Sequence, residues 1–180
     1  MTISLKWDLL KKTMKKLLLL DANIIIDLHA LGLFENIAKT YDVHVTRTVF
    51  GEAQSFKREG RKQKINISDK VTVIDDVGLD SLNSVRSEAK KARLGIDPGE
   101  LESIAYLSNT EEEIGFCTCD KAAMTLISYM ELEKRSISVE QAAKIAGLRR
   151  EHLLLRHSDK KFKECIKEGK ALRIRFKKLV

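Results

Sequence analysis

The feature that most constrains this chain is the stretch at 16–28, KLLLLDANIIIDL. Four leucines, Leu17 to Leu20, run without alternation into Asp21; Ala22, Asn23 and three isoleucines, Ile24 to Ile26, follow. A short unbroken apolar run suits a strand buried on both faces, and such strands belong to parallel sheets covered by helices. The run alone is equally compatible with a buried helix. A carboxylate where such a strand ends lies at the carboxyl edge of the sheet, where open α/β sheets keep their ligands. Asp21 is therefore the first candidate functional residue.

Beyond this stretch the pattern alternates. Strands are expected at 17–21, 43–46, 71–75 and 114–118, with a brief fifth at 136–138. Helices are expected at 23–31, 33–39, 47–64, 80–94, 98–108, 121–134 and 139–146. In 47–64, Val49, Phe50, Ala53 and Phe56 recur at helical spacing, and Gly60 can split the segment. Asp97-Pro98-Gly99-Glu100 is the clearest helix start: Asp97 can cap, Pro98 suits the first helical position, and Glu100 can complete a capping box. Alternating elements with short connections predict a three-layer α/β/α sandwich whose mostly parallel sheet has about five strands. A chain of 180 residues suits one domain with a short appendage.

Charge is unevenly spread. Residues 148–180 hold twelve basic and four acidic side chains, whereas 1–147 hold 21 and 22. A near-neutral body with a basic tail suits nucleic-acid binding through phosphate neutralisation, or a solvated helix face. Cys117, Cys119 and Cys165 are an odd count without secretory features, which points to reduced thiols and a cytoplasmic location. No apolar run reaches the ~18 residues a membrane span needs. The opening residues do not read as a signal peptide, and Met14-Lys15-Lys16 is a plausible natural start.

Four further acids, in three segments, fall at matching ends of elements. Asp120 follows the strand at 114–118. Glu52 lies early in the helix after the second strand. Glu100 and Glu102 open a helix that must run antiparallel to the strand it precedes. This topology gathers the carboxylates along one edge, where they repel and raise one another's pKa unless a cation sits between them. Oxygen ligands without a Cys/His cluster point to Mg²⁺ or Mn²⁺. A metal between carboxylates and a phosphate implies phosphodiester hydrolysis. Glu100 and Glu102 stand about 200° apart on an ideal helix, so one should point away from a shared metal. Asp27, Asp75, Asp76 and Asp97 read as structural. His29, His44, His152 and His157 show neither metal spacing nor a partner acid, and read as ordinary.

The segments LLLLDANIIIDL, VHVTRTVFGEAQSF, DPGELESIAYL, GFCTCDKAAM and ISVEQAAKIAGL, in that order, resemble the PIN-domain nucleases, which include VapC-type toxin ribonucleases. The resemblance covers residues 16–148 and leaves 1–15 as an N-terminal extension and 149–180 as a basic helical C-terminal extension. It implies a Mg²⁺- or Mn²⁺-dependent endoribonuclease with Asp21, Glu52, Glu102 and Asp120 as catalytic acids and metal ligands. Asn23 and Thr118 would be supporting polar residues. Glu102 is favoured for the site and Glu100 for the capping box or outer metal shell, an assignment that can reverse. Arg47 and Lys57, near Glu52 in sequence, are candidates for the RNA backbone. The implied partners are RNA, a cognate antitoxin protein and a second copy in a homodimer, with no membrane.

Other readings use the same residues. A catalytically idle PIN-like module would bind RNA or protein through this surface. A haloacid-dehalogenase-like enzyme would need aspartate where Asn23 stands. Residues 138–153 have the look of a helix-turn-helix, though the last strand and helix of the domain account for them better. In the tail, a helix at 159–168 ends at Gly169, and the alternating 171–176 suits an edge strand.

Overall fold

The computed structural model describes residues 15–58 and 61–177; the side chains of 55–62 and 177 lie outside it, as does the expected N-terminal extension apart from Lys15. The elements run β1 (Lys16–Leu20), α1 (Ala22–Ala30), α2 (Phe34–Thr40), β2 (Tyr41–Thr46), α3 (Arg47–Gln54), β3 (Ser55–Arg58), β4 (Arg61–Lys64) and β5 (Thr72–Ile74). They continue with α4 (Leu79–Lys91), α5 (Pro98–Asn109), β6 (Ile114–Cys117), α6 (Lys121–Tyr129), α7 (Val139–Ile145) and α8 (Asp159–Lys177).

Four strands form an all-parallel sheet in the order β5-β2-β1-β6. Helices cover both faces, giving the expected α/β/α sandwich. The leucine run explains the layering. Leu18 and Leu20 face one core with Ile24, Ile25, Leu28 and Phe34, while Leu19 faces a second core with Ile104, Leu107, Phe116 and Leu126. Every position of β1 from Leu18 onward is thus apolar because each face meets a helix layer.

Three expectations need correction. The fifth strand shrinks to a single parallel bridge between Phe116 and Ser136, closed by the Ile137 amide on the Phe116 carbonyl at 2.9 Å. The helical turn Glu133–Arg135 precedes it, and Ser138 is already the cap of α7, so no length is left for a strand. The helix at 47–64 stops at Gln54, and β3 and β4 pair antiparallel, Arg58 opposite Arg61. After Phe56 the sequence KREGRKQK has no apolar stripe to hold a helix against the core. Finally, α8 runs unbroken through Gly169 to Lys177, so 171–176 is helix rather than edge strand. A Cβ at Gly169 would lie 2.3 Å from the Thr125 carbonyl oxygen and 2.7 Å from Ser128 Cβ. The glycine lets α8 approach α6, where Ser128 Oγ donates to the Ile166 carbonyl at 2.8 Å. The C-terminal extension is therefore docked on the domain. Among the described residues no helix is long and apolar enough to cross a membrane.

Candidate functional site

The site begins where β1, β2 and β6 end. β1 pairs Leu19 with His44 and Leu20 with Cys117, so continuing both ladders sets Asp21 between Thr46 and Thr118. Asp21 is only 2% exposed. Its amide donates to the Cys117 carbonyl at 3.2 Å, and its Oδ2 accepts from Thr118 Oγ1 at 3.3 Å. It occupies the cap position of α1 without using its side chain as a cap, so the carboxylate remains turned to the sheet edge. Burial pushes the Asp21 carboxyl up to about 6; the Ala22 amide and Thr118 hydroxyl oppose that, and Glu52 and Asp120 add to it.

Asp120 comes from the next strand over. Its Oδ1 accepts from the Ala123 amide at 2.8 Å, capping α6, and its own amide donates to Thr118 Oγ1 at 3.1 Å. The Thr118 hydroxyl therefore ties both aspartates together. Glu100, in the first turn of α5, is 3% exposed. Burial first, then the charges of Asp21, Asp120 and Asp97, push its carboxyl up to about 9, with the Asp97 amide opposing. The side chain of Asp97 itself makes no capping bond.

Glu52 and Glu102 form a second, shallower group. Glu102 Oε2 accepts from the Thr48 amide at 3.0 Å, at the head of α3. Glu52 is exposed at the rim, and burial of its inner part, Asp97 and Glu102 all raise its pKa. Gly99 makes room for it: a Cβ there would lie 2.8 Å from Glu52 Oε2 and 3.1 Å from Val49 Cγ2. The helical separation of the two glutamates has the consequence expected of it: Glu100 keeps its expected capping-box contact with the Asp97 amide, and it is Glu100 rather than Glu102 whose carboxyl feels the charges of Asp21 and Asp120. Glu100 faces Asp21 and Asp120, and Glu102 satisfies a backbone donor of α3. The remaining expected side chains are less central. Asn23 is exposed and makes no side-chain hydrogen bond among the described residues; Thr118 holds Asp21 instead. Arg47 is exposed and ion-paired with Asp75. Lys57 lies in β3, and its side chain is outside the described ones.

Among the described residues, no Lys or Arg forms an ion pair with Asp21, Glu52, Glu100, Glu102 or Asp120. An all-oxygen donor set, buried at Asp21 and Glu100 and without an ion-paired cation among the described residues, fits a hard divalent ion. No three of these acids bring their oxygens within 4.8 Å of one another; among the described residues the group that does so is Asp27, Cys119 and His157.

The Asp27 group is accounted for without a metal. The Leu154 amide donates to His157 Nδ1 at 3.3 Å, so the ring proton sits on Nε2, which meets Asp27 Oδ2 at 2.8 Å. A metal at Nε2 would force the proton onto Nδ1 and set two donors against each other. Arg156 also grips Asp27, its Nε to Oδ2 at 2.9 Å and its Nη2 to Oδ1 at 2.5 Å. Burial works to raise the Asp27 carboxyl, but His157 and Arg156 hold it below its usual range. His157 thus has a partner acid, 130 positions away, which spacing along the chain could not reveal. Thr46 is the other residue missed. It is fully buried, and its hydroxyl has no hydrogen-bond partner among the described residues. Its place at the end of a strand aligned with β1 was the available signal. Comparison with known protein families, with characterised proteins and with solved structures returns no match.

Proposed function

We propose that this chain is a divalent-metal-dependent endoribonuclease that hydrolyses RNA phosphodiester bonds. One observation carries the reading: three carboxylates from distant segments, Asp21, Glu100 and Asp120, come together where the sheet ends, burial and the charge of Asp120 raising the pKa of Asp21, burial and both aspartates raising that of Glu100, with no Lys or Arg ion-paired to any of them among the described residues. Such an arrangement destabilises the chain unless a cation is part of its working state. Asp21, Asp120 and Glu100 would hold Mg²⁺ or Mn²⁺, and bound there the ion would activate water and neutralise the phosphate.

The chain's own groups do the rest. Thr118 Oγ1 fixes the Asp21 carboxylate through its O–H and accepts the Asp120 amide, so both acids keep their orientation. Glu100 stays protonated at neutral pH while no cation faces it and yields its proton when one does. Glu52 at the rim, with its raised pKa, is the group suited to take a proton from the attacking water. On the same reading the partners are RNA, an antitoxin protein and a second copy of the chain.

A second reading, an idle module that binds RNA or protein here, is favoured by the spacing of the acids, no trio of which closes to 4.8 Å. The deciding experiment is cleavage of single-stranded RNA with Mg²⁺ or Mn²⁺ by wild type and Asp21→Asn. Metal-dependent cutting that falls at least about 100-fold in the variant supports the enzyme. RNA binding with no cutting by wild type supports the idle module.

A further inference from the structure

The acidic site needs a counterpart for a polyanionic substrate, and the cations around it are mostly committed. Arg47 is paired with Asp75, and Lys121, next to Asp120, with Glu168. Arg156 differs. It comes from the C-terminal extension, in the turn Leu155–His157, and lies over α1. Asp27, which it grips, is mostly buried, yet the Arg156 side chain is 55% exposed. A guanidinium carries five N–H donors in a planar fork. The inward edge of this one, Nε and Nη2, meets Asp27. The outward donors have no carboxylate or carbonyl partner among the described residues.

Its position ties it to the site. The guanidinium lies beside Cys119, and the Cys119 sulfur is within 4.8 Å of ligand atoms of both Asp27 and His157. Cys119 stands between Thr118 and Asp120, the residues that frame Asp21. Charge balance for Asp27 explains only the inward edge, and His157 already donates to the same carboxylate.

We propose that Arg156 is a phosphate-anchoring residue: its outward N–H groups hold a backbone phosphate of single-stranded RNA adjoining the Asp21–Glu100–Asp120 site. This rests on the ribonuclease reading. Arginine suits the role because a planar fork can bind one anion along each edge in fixed geometry, whereas a lysine is a point charge with no second preset edge. Asp27 and the buried His157 then act as the mount that holds the guanidinium in place. The C-terminal extension completes the substrate surface.

The test compares wild type with Arg156→Gln: the new amide can still donate to Asp27 and His157 keeps its contact with the same carboxylate, so the cation goes while its mount stays. Binding of a fluorescent single-stranded RNA is measured in EDTA across a salt series, with thermal unfolding of both proteins in parallel. The expected result is about tenfold weaker binding without the guanidinium and a log–log salt slope shallower by about 0.7, the value for one phosphate contact on a single strand. Both proteins should remain folded at the assay temperature. The same strand as DNA should show the same ratio; a loss confined to RNA would mean a 2′-hydroxyl contact and would overturn the phosphate assignment. Equal affinity and slope for wild type and Arg156→Gln, where wild type cuts RNA, overturns the anchor and leaves the nuclease reading intact. Wild type that neither cuts nor binds RNA overturns both.

Discussion

Glu100 offers the sharpest test of the acidic site, because the features that suit it to bind a cation should make the cation-free protein less stable. In the folded chain its carboxyl is pushed from 4.5 to about 9 by burial and by Asp21, Asp120 and Asp97. An unfolded chain would ionise it near the ordinary value. The sign follows. Below 4.5 the group is protonated in both states and carries no penalty. Between 4.5 and about 9 the unfolded state has lost a proton that the folded state keeps, so stability falls as pH rises, by ~1.4 kcal/mol per pH unit. The accumulated cost is on the order of 3 kcal/mol at pH 7. Glu100→Gln removes the titration and keeps a side chain of similar size and polarity. Urea unfolding in EDTA should therefore find the variant nearly equal to wild type at pH 5 and more stable by on the order of 3 kcal/mol at pH 7, with the gap still widening at pH 8. Mn²⁺ should raise the midpoint of wild type and much less that of the variant, since an ion that binds only the folded state stabilises it. A wild-type-to-variant gap that stays constant from pH 5 to pH 8 would refute the claim that this carboxylate is buried among like charges.

Three other outcomes follow from the geometry. Gly169→Ala should destabilise by about 1–2 kcal/mol in thermal or urea unfolding, as overpacking against the Thr125 carbonyl outweighs the gain in helix propensity; a stabilised variant would mean that α8 does not approach α6 at this point. Gly99→Ala should change stability by no more than about 1 kcal/mol, because the nearest atom is the flexible end of the exposed Glu52 side chain and the buried Val49 methyl need give only slightly, but should lower metal-dependent RNA cleavage by displacing that carboxylate. Asp27→Ala should cost about 3–5 kcal/mol, since it strips a mostly buried partner from His157 and Arg156; a loss under 1 kcal/mol would show that the C-terminal extension is not held there.

Local patterns carried the layer architecture and the cast of acids. The unbroken Leu17–Leu20 run implied a strand covered on both faces, and the two cores that divide Leu19 from Leu18 and Leu20 are the reason. The start of α5 at Asp97-Pro98 and the capping role of Asp120 were legible because both depend on residues within one helical turn. Elements that depend on a distant partner were not legible. Gly169 resembles a helix end until α6 is set against it; the missing apolar stripe of KREGRKQK, by contrast, lies in the sequence itself, and only the antiparallel pairing of β3 with β4 needed the fold. The sheet stops at four strands because Ser136 has a single bridge before Ser138 turns to capping.

The same division holds at the site. Asp21, Glu52 and Asp120 could be named from where strands end and helices begin, because the direction of a parallel strand decides which edge its last residue reaches. Which glutamate of α5 turns inward could not be read that way. A helix places Glu100 and Glu102 on different sides, but only the neighbouring α3, with its Thr48 amide, the buried Asp21 and the half-buried Asp120 determine what each side meets. The grip of Arg156 and His157 on Asp27 belongs wholly to the tertiary structure, since it joins residues about 130 positions apart that no periodicity relates.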